Sequence, residues 1–344
     1  MIDKNNPIRV TGSFETLTPL HQSYPNGTKH SEGGKRLTIC TRKVKLATGD
    51  IIPAYSGNAM RGRMRRTLAG HLLRYLDMTP GSLDIYVAHL LFVGGILTKA
   101  ANLPAPEDVA EFRRLLPMYS LLGGNVRGVP VEGLTMFRDW ICQVAGLPET
   151  LKTPDYDHPG KKHPAPKDTV GTASYVQSAG FLREHFLPDV FEKLNEELKK
   201  NTNGAQDDDK KGYRGSMPFE VEYVVPGMEF YGNIAAARMA NEVELAALRL
   251  ALETAFPATV EVILGGGAQH GFGVTRFEWY NLSDLPEPAI YLAFLDEHKK
   301  ENAELLTGKR LITVKAEESP KGKKGKKGDS DAAIPENEES ADDV

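Results

Sequence analysis

The segment Ile52–Leu73, IPAYSGNAMRGRMRRTLAGHLL, joins a strand-like stretch to a helix and carries the main signal for the fold. Apolar side chains recur in it every four residues, as along one face of an amphipathic helix, so a helix is expected over about residues 57–77. Ser56 or Asn58 is the expected N-cap, because a short polar side chain there can accept a hydrogen bond from the first turn. The apolar stripe consists of Met60, Met64, Leu68, Leu72 and Leu76.

The sequence on either side of this helix predicts a sheet. Alternating apolar and polar residues indicate strands at 8–16 and 37–46, with a loop rich in Gly, Asn and Ser over 20–35 between them. The later expected elements are helices over 83–97, 106–116 and 178–200, strands over 218–225 and 228–235, a helix over 242–256 and a strand over 274–280. The scaffold order βαββαβ, with insertions after the first helix, predicts an α+β fold with a ferredoxin-like or RNA-recognition-type antiparallel sheet.

Positive charge is concentrated at the start of the first expected helix. The whole chain has a net charge of -4, yet residues 29–74 hold eleven Lys or Arg against two acids, a net of +9. A solvated helix face is one explanation, but such faces usually mix both signs, and guanidinium groups suit fork-like contacts with phosphate. Phosphate binding is therefore expected of Arg61, Arg63, Arg65 and Arg66.

Composition argues against several other classes of protein. Cys40 and Cys142 are the only cysteines and lie far apart, so neither zinc ligation nor thiol exchange is indicated and a reduced, cytoplasmic setting is expected. The longest apolar run, over 85–97, is too short to span a bilayer, so no membrane partner is expected. The histidines are scattered, and no metal, other cofactor or catalytic residue is predicted.

A glycine run over 265–273, GGGAQHGFG, follows the last expected helix. It lacks the third glycine of a dinucleotide fingerprint and the lysine of a phosphate-binding P-loop, and a strand rather than a helix is expected after it. Consecutive glycines still allow close approach of a polyanion to backbone N–H groups. The alternative is a tight turn without a ligand. The residues expected to bind are Gly265, Gly266, Gly267, Gln269, His270 and Arg276.

Taken together, the motifs resemble a known family. They are LTPLH after the first strand, IPAYSGNAMRGRMRR opening the helix, LLGGNVRGVPVEG, PGMEFYGNIAAA and LGGGAQHGFGVTRF, in this order over residues 8–281. This combination is similar to the backbone subunits of Class 1 CRISPR effector complexes, of the repeat-associated mysterious protein (RAMP) superfamily, and most resembles the type IV form.

The resemblance implies an RNA-recognition-type palm with finger and thumb insertions, and copies that polymerise along a guide RNA. The implied division is a first palm half over 1–82, a finger or thumb insertion over 83–216, a second palm half over 217–314 and a disordered tail over 315–344. Either 121–133 or 148–172 could supply the finger or thumb. Implied partners are the guide RNA, further copies of the chain, other effector subunits, a helicase and, through guide pairing, a target nucleic acid. Ser56, Asn58 and the four arginines would then hold guide phosphates without reading bases.

Two other functions stay open at this point. A related RAMP-fold endoribonuclease that processes guide precursors would use His21, His30 or His270 as acid and base. A free-standing module for single-stranded RNA would bind without self-assembly. Subunits of type III complexes that cut target RNA carry an aspartate in the loop after the first strand, and residues 20–35 contain none, which argues against target cleavage by this chain.

Overall fold

The computed structural model describes residues 7–30, 37–95, 106–126, 129–176 and 218–309. Its helices are α1 (Gly57–Tyr75), α2 (Ile85–Val93), α3 (Pro106–Leu115), α4 (Pro117–Leu122), α5 (Glu242–Ala255), α6 (Pro288–Glu297) and α7 (Lys299–Leu306). Its strands are β1 (Ile8–Thr16), β2 (Ser23–His30), β3 (Leu37–Thr41), β4 (Lys43–Lys45), β5 (Ile51–Tyr55), β6 (Gly124–Val126), β7 (Val129–Val131), β8 (Thr135–Phe137), β9 (Trp140–Cys142), β10 (Val170–Val176), β11 (Pro218–Val224), β12 (Glu229–Ala236), β13 (Val262–Ile263) and β14 (Val274–Trp279).

The main sheet has the strand order β13-β14-β1-β12-β9-β5-β4, with β8 also paired to β12. Its central strands β14, β1, β12 and β9 are antiparallel to their neighbours. In chain order these are the first strand (β1), the second (β9), the third (β12) and the fourth (β14), and α1 and α5 follow the first and third. This spatial order is that of a ferredoxin-like sheet, and the predicted α+β fold class is confirmed.

The second strand of this sheet is not the one that the sequence predicts. We expected 218–225 to pair with 228–235 as a hairpin, but both edges of β12 are occupied, by β1 on one side and by β8 and β9 on the other. Strand β11 instead joins a second sheet of order β10-β11-β3-β2. The predicted loop over 20–35 likewise contributes β2 to that sheet. The strands β8 and β9 come from inside the region expected to be an insertion.

The core lies between the main sheet and the helices α1 and α5, which pack against each other. Phe14 of β1 stacks on Phe230 of β12 with ring centroids 4.8 Å apart, and the stripe residues Met64 and Leu68 are buried beneath them. Burying each such side chain stabilises the fold by about 1.5–3 kcal/mol. The apolar stripe read from the sequence is therefore the side of α1 that faces the core.

The predicted boundaries of the two scaffold helices are confirmed. Helix α1 begins after Ser56 and ends at Tyr75, where Asp77 adopts a left-handed backbone with φ 55°. Helix α5 begins with a capping box, in which the side chains of Asn241 and Glu244 each accept a backbone N–H of the other residue. The predictions of a helix over 178–200 and a disordered tail over 315–344 lie outside the described residues.

Candidate RNA-binding surface

The first turn of α1 is closed by side chains from three segments. Ser56 Oγ accepts a hydrogen bond from the N–H of Asn58 over 3.2 Å, as predicted for the N-cap. Asp139 Oδ1 accepts from the N–H of Gly57 over 3.1 Å, and Gln22 Oε1 accepts from the N–H of Ser56 over 2.8 Å. A carboxylate at this position offsets the positive end of the helix dipole. The helix N-terminus is therefore occupied by the protein's own acceptors.

Arg65 is a structural residue, which corrects its assignment to phosphate binding. Its side chain is only 5% exposed. The guanidinium donates to the carbonyl oxygens of Leu90 (3.3 Å), Leu122 (3.0 Å) and Gly123 (2.9 Å), at the ends of α2 and α4. Burial lowers the pKa of Arg65 to about 10, which leaves it charged near neutral pH. It adds a donor to carbonyl groups at the ends of two helices, where intrahelical hydrogen bonds run out.

Arg63 links α1 to the segment that leads into the glycine run. Its Nε donates to the carbonyl oxygen of Ala255 over 2.9 Å and its Nη1 to that of Ile263 over 2.6 Å. The guanidinium also lies 5.6 Å from the centre of the Phe256 ring. Burial lowers the pKa of Arg63. These two hydrogen bonds fix the guanidinium to the protein, so we expect Arg63 to act on a ligand mainly through the position of the neighbouring loop.

The glycine run forms a tight exposed loop beside the start of α1. Gly265 has φ +72°, and a side chain there would place Cβ 2.2 Å from the carbonyl oxygen of His21. The N–H of Gly266 donates to that same oxygen over 2.9 Å, and the backbone of Gly265 also hydrogen-bonds to Tyr55. Only glycine fits so close an approach. The loop, the end of β1 and the first turn of α1 therefore meet at one place.

Arg61 and Arg66 remain at the surface. Arg66 is exposed, and Arg61 is half-buried at a cleft that Asn58 also lines. Within the described ranges, no ion pair joins either guanidinium to a carboxylate. Because they are five positions apart on a helix with 3.6 residues per turn, they point in different directions. These two arginines are the members of the predicted cluster that are placed to contact a ligand.

The remaining predicted residues divide between two places. Gln269 and His270 are exposed on the glycine loop, in a short turn that begins at Gly267. Arg276 points to the other face of the sheet, where its nearest acid is Glu261 at 3.8 Å. The cavity on that face is lined by the acidic side chains of Glu15, Glu229 and Glu278. The structure therefore does not bring Arg276 to the surface formed by α1 and the loop.

Two of the histidines proposed as acid and base, His21 and His270, have different environments. His21 is buried at 8% exposure, and its Nδ1 lies 2.7 Å from the carbonyl oxygen of Glu222. His270 lies on the exposed loop, and the side chain of His30 is outside the described part of the chain. His21 thus has a structural contact that fixes its ring.

Sequence reasoning missed the residues that shape this surface. Asp139 is 82 positions from the Gly57 that it caps, and Gln22 is 34 positions from Ser56. No local pattern points to either residue. Tyr55 lies within the quoted segment, but nothing in its spacing indicates the contact with Gly265.

The described residues contain neither a metal-binding cluster nor a helix that could span a membrane. Within those residues, no group of three or more His, Cys, Asp or Glu side chains is arranged to hold a metal ion. Among the described helices, none has the length and apolar character needed to cross a membrane.

Comparison with known proteins gives one informative likeness. No family model matches the chain, and no curated protein matches it in sequence. Among solved structures, a chain of a structure titled "Type IV-B CRISPR Complex" shares the fold with a TM-score of 0.53 and 17% identity. The match covers 83% of this chain and 96% of the other. The chain therefore has the fold of a protein found in a type IV-B CRISPR complex.

Proposed function

We propose that this protein is a guide-RNA-binding backbone subunit of a CRISPR effector complex, of type IV, and a member of the RAMP superfamily. It polymerises along the guide into a helical filament and presents the guide for pairing with a target, in antiviral defence in the cytoplasm. It has no nuclease activity of its own. Other effector subunits and a helicase are its partners.

The main support for this proposal is that helix α1, with its arginines, and the glycine loop lie next to each other on a sheet with the palm fold. Arg66 is exposed near Tyr55 and Arg63, and the loop backbone at Gly265 lies against the same tyrosine. An exposed guanidinium group beside an exposed glycine loop, which a polyanion can approach closely, suits a phosphodiester chain. Such contacts hold RNA regardless of its sequence, as a guide-binding subunit requires.

The coverage of the fold likeness supports a subunit role. The likeness extends over 96% of the chain in the type IV-B complex and 83% of this chain, so it is not confined to the palm. Because a protein with this fold is part of a CRISPR complex, we propose that other subunits of such a complex are the partners of this chain.

The endoribonuclease remains the second candidate. Its proposed acid and base come from His21, His30 and His270. Of these, His21 is buried and its Nδ1 faces the carbonyl oxygen of Glu222. His270 is exposed and stays a candidate acid or base for the endoribonuclease. Incubating the pure protein with a guide precursor distinguishes the two functions, because only the alternative produces cleavage that is lost in His270→Ala.

Purification from a host that expresses a guide RNA tests the proposal directly. The expected product is a multimer that carries RNA, with an absorbance spectrum dominated by nucleic acid. A monomer with the spectrum of pure protein at low salt would contradict it. A protein that binds RNA but stays monomeric would instead support the free-standing RNA-binding module.

A further inference from the structure

A second cationic feature lies beside α1, and the glycine loop does not contribute to it. It is a cleft of about 940 Å³ between the first turns of α1, the start of β1, strand β8 and the ends of α2 and α4. This volume lies in the range of clefts that hold small organic ligands.

Besides the buried Arg65, three arginines line the cleft, from three different elements. They are Arg9 of β1, Arg61 of α1 and Arg138 just after β8. No ion pair joins them to other residues in the described ranges, and the only acidic side chain among the described lining residues is Glu132. The buried charge of Arg65 lies behind them, and Arg61 contributes to lowering its pKa. An anionic ligand would relieve the repulsion among these charges.

The floor of the cleft contains a buried carboxamide with no partner. Asn125 is 8% exposed, and neither its side-chain nitrogen nor its oxygen has a hydrogen-bond partner. Its backbone is fixed, because its N–H donates to the carbonyl oxygen of Gly94 over 2.6 Å. A Cβ at Gly95 would lie 2.0 Å from the Asn125 carbonyl oxygen, so only glycine permits this packing.

An unsatisfied buried polar group destabilises a protein by about 1–3 kcal/mol. A carboxamide offers donors and an acceptor side by side, and the edge of a nucleobase offers the complementary pair. A phosphate matches the arginines above it. Anion and base edge occur together in a nucleotide, and free phosphate would leave Asn125 unpaired.

We infer that this cleft binds one nucleotide of single-stranded RNA, with the phosphate on Arg61 and Arg138. The base edge bonds to the carboxamide of Asn125 after that side chain turns towards the cleft, because both of its polar atoms are closed to solvent in this structure. The inference rests on the proposed function and adds a base-dependent contact to it. Every base presents neighbouring donors and acceptors, and the carboxamide can be satisfied in either orientation, so the contact requires a base without selecting one.

The test compares RNA with an abasic strand. Fluorescence anisotropy measures binding of the full chain, stripped of nucleic acid, to a labelled mixed-sequence oligoribonucleotide and to an abasic oligonucleotide of equal length. Wild type should bind the base-bearing strand about 5- to 100-fold more tightly, the range expected for satisfying buried polar groups. Asn125→Ala should reduce that ratio to about 2-fold or less. The double variant Arg61→Ala/Arg138→Ala should weaken both strands by similar factors.

Asn302→Ala is the matched control, since Asn302 is a fully buried asparagine in α7 whose carboxamide also lacks a partner and which does not line the cleft. It should keep the wild-type ratio. A 4-thiouridine-bearing RNA should also cross-link to residues 122–138 in wild type, a readout that needs no variant. If RNA binds but Asn125→Ala keeps the full ratio, or cross-links occur only at other segments, the inference is wrong and the proposed function stands. If wild type binds neither strand, both fail.

Discussion

Arg63 of α1 and Ile263, which precedes the glycine loop, are 200 positions apart in the chain and are joined by a 2.6 Å hydrogen bond from Nη1 to the carbonyl oxygen. The same guanidinium holds the end of α5 through Ala255. The two segments expected to bind RNA are therefore fixed to each other by a residue that was itself expected to bind RNA. We therefore expect its contribution to RNA binding to be indirect.

Replacing this link should affect stability and binding together. Arg63→Met removes two hydrogen bonds to carbonyl oxygens and the contact of the guanidinium with the Phe256 ring, so we expect a loss of about 1–3 kcal/mol in the free energy of unfolding. RNA binding should weaken because the loop is less well positioned. Chemical denaturation and RNA titration measure the two effects. Weaker RNA binding with unchanged stability would mean that Arg63 contacts RNA directly.

The surface arginines should behave in the opposite way. Arg61→Ala/Arg66→Ala should leave the stability of the RNA-free protein unchanged or raise it, because like charges are removed from one helix. Affinity should fall equally for two guides of unrelated sequence. The slope of log affinity against log salt should decrease by about 0.7 for each lost phosphate contact.

Arg74→Ala is the control for that pair, since Arg74 is exposed on the last turn of the same helix. We expect it to keep the wild-type affinity and salt slope. A loss confined to one guide sequence in the double variant would indicate base recognition by Arg61 or Arg66 and contradict phosphate binding.

Arg65→Met should destabilise the protein most among the arginine variants. It removes the guanidinium donor from the carbonyl oxygens of Leu122 and Gly123 and one of two donors from that of Leu90. We expect a loss on the order of 3 kcal/mol, seen as a lower thermal midpoint. A variant that unfolds like wild type but fails to bind RNA would show that Arg65 is accessible to the ligand.

The glycine loop offers a matched pair of substitutions. Gly265→Ala and Gly49→Ala both place a side chain at positive φ, +72° and +95°, which costs about 1–2 kcal/mol. Gly49 has open space around it, whereas a Cβ at Gly265 would meet the carbonyl oxygen of His21 at 2.2 Å. Gly265→Ala should therefore unfold at lower denaturant and bind RNA more weakly. Equal unfolding midpoints would show that the loop can move away.

Local sequence patterns were sufficient for the elements that depend on near neighbours. The four-residue stripe and a polar cap identify α1, and alternation identifies β1, β12 and β14. Strands β8 and β9 have three residues each, too few for alternation to appear. Pairing of β11 with β3 depends on tertiary structure and leaves no mark on either segment.

The site was predicted less completely, since adjacent arginines have opposite environments. Arg65 is buried while Arg66 is exposed. Ala69 and Leu73 are also buried, and with Arg65 they form a second row at four-residue spacing. This second row makes the buried face of α1 wider than the single stripe that we predicted. Its width was the sequence signal that could have identified Arg65 as buried. Asp139 and Gln22 act on α1 from distant segments, which no single-sequence pattern could reveal.

The position of β1 in the sheet also affects how the protein is made. Phe14 pairs with Phe230 on one side and with Phe277 on the other, so the first strand to leave the ribosome has its partners near the other end of the chain. At ~5–20 residues per second, translation leaves β1 without either neighbour for roughly 10–40 s. Such long-range pairing slows folding and leaves an apolar strand open to other nascent chains. In the proposed filament subunit, chaperone binding during synthesis would separate productive assembly from premature aggregation.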